Sequence, residues 1–312
     1  MTGLYDLLAV PFGYIIGFFY DISQNYIFSI LVITIITRLI LLPSTIKQQR
    51  SSASQMRLQA KVRRIQEMYK GNQQKINEET QALYQREGFN PMSSGCLPML
   101  IQFPVMIGLY SAIRTPLTSV LHLGSAAVTA LTDAVQQVAE ISSRGQATLE
   151  IEVLKHFSSL QGMVEGVSAS DMQTVADFSD SFSLFGINLA DTPQVSEPSL
   201  LWLLPIISGV TALLTSIFML IRQKKQNPDM AKNPMMGCTF LLSPAMSIYF
   251  GFLFPGAISI YWIIGNILSF IQTVALNYTH KPGKVLAQLM IDETVTSRAR
   301  EQSIKNTIQY RD

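Results

Sequence analysis

Residues 27–43 read IFSILVITIITRLILLP, an apolar run that approaches the length needed to cross a bilayer and carries one cation, Arg38. A guanidinium at the centre of an inserted helix costs roughly 2.5–3.5 kcal/mol on insertion scales. Two placements would relieve that cost. Arg38 could snorkel to the headgroups near the cytoplasmic end, or it could sit in a water-filled intramembrane cavity. Leu39, Ile40, Leu41 and Leu42 follow it, so roughly 6 Å of further helix, at about 1.5 Å per residue, separates it from Pro43. That spacing weighs toward the cavity. Thr34 and Thr37 lie one turn below, on or next to the same face, and extend a polar stripe from the cation.

The composition agrees with a membrane setting. The 312 residues are 48% hydrophobic and only 14% charged, against about 25% charged in soluble domains, and the mean hydropathy is +0.27. Five segments approach the ~20 residues of a transmembrane helix: 23–43, 95–114, 200–221, 237–254 and 257–278. Phe254-Pro255-Gly256 makes a tight turn between the last two. The expected class is an all-α integral membrane protein.

Lys and Arg counts in the short links orient it. The loop 44–94 carries nine, from Lys47 to Arg86; the link 222–236 carries Arg222, Lys224, Lys225 and Lys232; the tail 279–312 carries six. Segment 115–199 carries only Arg144 and Lys155 against ten acids. The expectation is a cytoplasmic 44–94, 222–236 and C-terminus, with 115–199 and the N-terminus outside. The net charge of +2 thus divides into a basic inside and an acidic outside.

Cys96 and Cys238 fall at the cytoplasmic ends of spans, where a disulfide is not expected, and they are too few for a metal site. They read as small buried hydrophobes. No Lys or Arg precedes the first apolar stretch, so no cleavable signal is expected, and that stretch has no cysteine to lipidate. Residues 1–22, with Pro11, Gly13 and Gly17 interrupting an aromatic run, read as an interfacial amphipathic helix on the outer face. Tyr5, Tyr14 and Tyr20 would sit in its headgroup belt. A sixth span is the competing reading.

Within 44–94, Leu58, Val62, Ile65 and Tyr69 make a helical stripe; Gly71-Asn72 breaks it; Ile76, Leu83 and Tyr84 begin a second. This predicts a cytoplasmic helical hairpin that either covers the membrane surface or meets incoming chains or a ribosome, since basic residues suit anionic lipid and ribosomal RNA alike. Gly88-Phe89-Asn90-Pro91 closes the loop. In the second span Pro98 and Pro104 are expected to kink the helix around Gln102. In 115–199, stretches 117–141 and 149–167 look helical before Ser, Gly and Asp increase, and His122 and His156 read as solvated surface residues. The tail 279–312 is polar and reads as poorly packed.

Two further spans carry polar stripes: Ser208, Thr211 and Thr215 in the third, and Trp262, Asn266, Ser269 and Thr273 in the fifth, with Gln272 beside it. Interhelical hydrogen bonding is the ordinary use of such stripes. A hydrophilic face shared with Arg38 is the alternative. No nucleotide-binding GxxxxGK[ST], no HExxH and no Ser or Cys nucleophile with a plausible His is present, so no enzyme and no cofactor is expected.

TRLILLP in the first span, NPMSSGCLPMLIQFPVMIGLYSAI in the second and FPGAISIYWIIGNILSFIQT in the fifth resemble the YidC family of membrane protein insertases, which includes the mitochondrial oxidase-assembly and thylakoid Albino insertases. SFSLFGINLADTP resembles the family's lead-in to the third span. The likeness runs from about residue 21 to 278; segment 117–170 matches no motif of the family. It implies five transmembrane helices around a hydrophilic groove open to cytoplasm and lipid and closed outside. In that reading the groove's arginine is Arg38, with Gln102, Trp262 and Asn266 along it, and Thr34, Thr211, Thr215 and Ser269 of the polar stripes are expected to join them. It further implies insertion and chaperoning of newly made membrane proteins, alone or with the Sec translocon, with the ribosome and membrane lipids as other partners. The extra first span and large periplasmic domain of Gram-negative members, and the lipoprotein cysteine of many Gram-positive ones, are not seen in this sequence. A transporter or channel with an anion site at Arg38, and an assembly factor without insertase activity, remain the rivals.

Overall fold

The computed structural model describes residues 3–88, 97–138, 148–226 and 234–279, with isolated positions between 287 and 302. Phe89 to Cys96, the link 227–233 and nearly all of the tail lie outside the described residues. The described chain is almost wholly helical, with one two-stranded hairpin. Three helical stretches are long and apolar enough to cross a membrane: Tyr26–Lys47, Leu200–Arg222 and Gly256–Thr279. Ala9–Ser23 and Phe240–Gly251 are shorter apolar helices. It is an all-α membrane protein.

Helix α1 spans Gly3–Ser23 without a break. Pro11 and the two glycines do not interrupt it, contrary to the sequence expectation, and the glycines have a packing reason. A Cβ at Gly13 would stand 2.2 Å from the Ser119 carbonyl oxygen, and one at Gly17 2.5 Å from that of Val120. Only hydrogen lets the two backbones approach so closely. A neighbouring face, about 100° round the helix, carries Val10, Tyr14, Phe18 and Ile22 at four-residue spacing, all exposed. Tyr20 is not on that face. It is buried, with its ring edge-on to Phe178 at 4.8 Å, because the helical period turns it toward Ile16 and the core.

Helix α2 spans Tyr26–Met68. It passes through Pro43, where the sequence suggests a boundary, and Thr45 Oγ1 donates to the Leu41 carbonyl just beyond. Gly71, at φ 94°, makes the turn into α3 (Gln73–Arg86), whose N-terminus Asn72 caps by accepting from the Lys75 N–H at 3.1 Å. Leu58 and Ile65 are the buried residues of the stripe on α2, and Lys61 pairs with Glu87 at the end of α3. Helix α4 spans Leu97–Arg114, so Pro98 sits in its first turn, where the missing N–H breaks no bond; only Pro104 is interior.

Segment 115–199 folds into short helices: α5 (Pro116–Ser119), α6 (Ser125–Val138), α7 (Leu149–Lys155), α8 (Phe157–Leu160) and α9 (Ala169–Ser181). Hairpin β1 (Ser183–Leu184) and β2 (Ile187–Asn188) follows. Helix α9 occupies the Ser- and Asp-rich stretch where the sequence suggests irregular chain; Ser168 caps it and Val175 and Phe178 supply its buried face. Leu131, Val135, Ile151, Leu154, Leu160 and Phe178 share one apolar core with Ile16, Tyr20 and Tyr26. His122 is not simply solvated: it stacks on Tyr14 at 4.2 Å. His156 lies 3.6 Å from Glu152. The chain ends in α10 (Leu203–Gln226), entered by a 3-10 turn at Leu200–Trp202, then α11 (Pro234–Gly251) and α12 (Gly256–Thr279).

Glu150 is 8% exposed, and its two carboxylate oxygens accept from the Thr118 N–H at 2.9 Å and the Thr118 hydroxyl at 2.7 Å. Burial raises its pKa above the ordinary value; the Thr118 and Leu117 hydrogen bonds and Arg114 oppose but do not cancel this. A carboxyl whose folded pKa is raised contributes stability in acid and loses it as pH rises through that pKa. The thermal midpoint of the wild-type chain is therefore expected to fall, relative to Glu150→Gln, as pH rises from about 4.5 toward neutrality. Parallel pH profiles for the two would contradict this.

Candidate functional site

Arg38 lies twelve residues into a span that begins at Tyr26 and nine before Lys47. At about 1.5 Å per residue it is roughly 18 Å from one end and 14 Å from the other. Because α2 does not stop at Pro43, the apolar helical stretch that carries the cation runs on to Lys47. Its guanidinium is partly buried, and Nη2 donates to the Gly265 carbonyl oxygen on α12 at 2.9 Å. Among the described residues no carboxylate pairs with it. The Tyr261 hydroxyl lies within its electrostatic reach, one helical turn from Gly265. With a backbone carbonyl rather than a carboxylate for its partner, the guanidinium is not neutralised by that contact.

Gly265 serves the contact in two ways. Its carbonyl supplies the acceptor, and a Cβ there would already touch Nη2 at 3.9 Å, so a larger side chain would crowd the guanidinium. Sequence reasoning missed this residue, because a backbone acceptor leaves no mark in a side-chain pattern.

The neighbouring residues divide into two groups. Thr34 is buried and donates to the Ile30 carbonyl at 2.6 Å; Thr37 donates to that of Ile33 at 2.8 Å. Both hydroxyls are thus used within their own helix, as threonines in membrane helices commonly are. On α12, Asn266 turns away from α2 toward α10. Its amide donates to the Ser208 carbonyl at 3.1 Å and to Thr211 Oγ1 at 3.3 Å. Thr211 itself donates to the carbonyls of Ile207 and Ser208, and Thr215 to that of Thr211 at 3.4 Å. Ser208 Oγ meets Ser247 Oγ of α11 at 2.7 Å. Gly209 allows that approach, since a Cβ there would stand 2.3 Å from Ile248 Cγ1.

Asn266, Thr211 and Ser208 therefore form a seam joining three helices, and Arg38 joins a fourth through the adjacent residue of α12. Trp262 packs between Phe250 and Phe254, with ring centroids at 6.0 and 6.1 Å. Ser269 is half-buried on α12. Gln102 falls on α4, and its side chain lies outside the described ones. A lost seam bond in a membrane bundle costs about 0.6 kcal/mol, rarely above 1.7. Asn266→Leu is accordingly expected to lower the thermal midpoint in detergent only slightly. A large drop would instead show that the seam carries the packing of the three helices.

The family described as 60Kd inner membrane protein matches residues 18–283. Among curated proteins, the chain is 29% identical over 286 residues to "Membrane protein insertase YidC 2" of Listeria innocua, covering 90% of this chain and 74% of that one. It is 30% identical over 255 residues to "Membrane protein insertase MisCA" of Bacillus subtilis, covering 80% and 70%. Against "Membrane protein insertase YidC" of Rickettsia conorii it is 28% identical over 275 residues, covering 88% of this chain but only 39% of the longer protein.

Proposed function

The chain belongs to the YidC family of membrane protein insertases, and from that premise we propose how its own residues carry the work. As an insertase it acts on newly made membrane proteins and needs no covalent chemistry. The proposed architecture is five spans: the three long ones, the shorter apolar α11 and the proline-containing α4. They surround a groove open to cytoplasm and lipid and closed outside, with the N-terminus outside and the C-terminus in the cytoplasm. Helix α1 lies in the outer interface, with its Val10-Tyr14-Phe18-Ile22 face toward lipid. The basic α2–α3 hairpin and tail meet the ribosome and anionic lipid, and the Sec translocon is a partner for part of the clientele. The same groove shelters polar segments during folding, which is the chaperone activity.

One observation carries this reading: an arginine near mid-span whose hydrogen-bond partner is a helix carbonyl rather than a carboxylate. Moving a short polar segment across hydrocarbon is costly because each unsatisfied polar group loses several kcal/mol of hydration. A wet groove reaching partway in shortens that path, and Arg38 attracts an acidic tail while the apolar helix passes into lipid. A residue labelled in water at position 38, by a cysteine there in a Cys96→Ser, Cys238→Ser chain, is the direct check on the groove. Reconstitution in liposomes with a small single-span substrate checks the activity. Insertion without added factors is expected. Solute flux without insertion would favour the transporter, and neither would favour an assembly factor.

A further inference from the structure

We propose that the hairpin Ser183–Asn188 is a membrane anchor whose tip residue, Phe185, is buried in the headgroup region of the bilayer on the face where α2 and α12 begin. Phe185 is 93% exposed, the most exposed large apolar side chain among the described residues. It also occupies a costly backbone position. Leu184 pairs with Ile187, leaving a two-residue loop in which Phe185 has φ 50° and Gly186 φ 80°. Both central residues at positive φ define the hairpin turn that favours Asn-Gly; a bulky aromatic there is strained and buries nothing against the protein.

The base of the hairpin shows what covers the tip. Phe182, immediately before β1, stacks on Tyr26, the first residue of α2, with ring centroids 4.3 Å apart. On the other side, the Leu189 and Asp191 carbonyls accept the N–H groups of Ala257 and Gly256, the first residues of α12. The hairpin is thus pinned at the starting level of two helices long enough to span the membrane. Phe185 is three residues from Phe182, at most roughly 10 Å at about 3.3 Å per residue. The interfacial layer of each leaflet is about 5–7 Å deep beyond the hydrocarbon, so the tip is within its reach. Trp202, in the 3-10 turn that enters α10 and with its indole N–H donating to the Gln194 carbonyl, is an aromatic of the kind that gathers at membrane interfaces. This anchor requires only that α2 and α12 cross the bilayer and is independent of the insertase activity.

The test places an environment-sensitive fluorophore on Phe185→Cys in the Cys96→Ser, Cys238→Ser chain. The protein is held in nanodiscs of phosphatidylethanolamine and phosphatidylglycerol, both faces open to solvent. Blue-shifted emission quenched several-fold more by headgroup-proximal doxyl lipid than by aqueous iodide is expected. Strong iodide quenching would place the tip in water, and quenching by neither would place it against protein; each overturns the proposal. Phe185→Asn gives an unlabelled check on a chain that still folds, since Asn-Gly suits this turn better. Without a lipid contact, amide exchange over 183–188 would slow in nanodiscs. Exchange several-fold faster than wild type is expected instead, and slower exchange overturns the anchor.

Discussion

Arg38→Ala is expected to reduce insertion of substrates with acidic translocated tails about a hundredfold, while substrates with uncharged tails lose far less. A carboxylate approaching a guanidinium to about 6 Å at an effective dielectric near 20 gains roughly 3 kcal/mol, and about 1.4 kcal/mol is tenfold in rate. The protein does not spend that charge internally: Arg38 gives one N–H to the Gly265 carbonyl and meets no carboxylate among the described residues. Arg38→Lys is expected to retain more activity than alanine, because a point charge persists where bidentate geometry is not used. Liposome insertion of a substrate pair differing only in tail charge measures the effect. Equal losses for both tails would remove charge attraction from the mechanism and leave Arg38 a structural bond to α12.

Gly13→Leu is expected to detach α1 from the 115–199 segment. The first carbon of any side chain at Gly13 would stand 2.2 Å from a backbone carbonyl oxygen, which cannot rotate aside as a side chain could. Even Gly13→Ala, which in an isolated helix stabilises by about 0.5–1 kcal/mol, should cost about 1–3 kcal/mol net, as overpacking does. Gly124→Ala, with nothing within 4 Å of its Cβ, is the control expected to be near neutral. Thermal unfolding in detergent and protease sensitivity of 115–199 report the difference. If Gly13→Ala and Gly124→Ala behave alike, the close approach of α1 carries no energy.

Several features could be read from residue order because they depend on composition and period. A long apolar run with few charges must become helix in lipid, whose interior offers no other partner for the backbone. That made the apolar runs at 23–43, 200–221 and 257–278 legible, close to the helical stretches Tyr26–Lys47, Leu200–Arg222 and Gly256–Thr279, and with them Arg38 as an anomaly. Two of the three motifs resembling the insertase family lie on or overlap the first and last of those spans and the third ends along α4, which is why membership was legible too.

What the residue order did not contain is contact between distant segments. Pro43 looks like a helix end, yet α2 runs on to Met68. Gly13 and Gly17 look like breaks until the Ser119 and Val120 carbonyls are placed against them. Tyr20 looks like an interfacial aromatic until Phe178 covers it, and Ser- and Asp-rich 169–181 becomes helix through Val175 and Phe178, two buried residues in thirteen. At the candidate site the polar stripes were visible, but their direction was not. Asn266 serves α10 and Gly265 serves Arg38, adjacent residues about 100° apart on one helix. Periodicity says which residues share a face; only packing says which neighbour that face meets, since a backbone carbonyl 227 residues away has no signature in sequence.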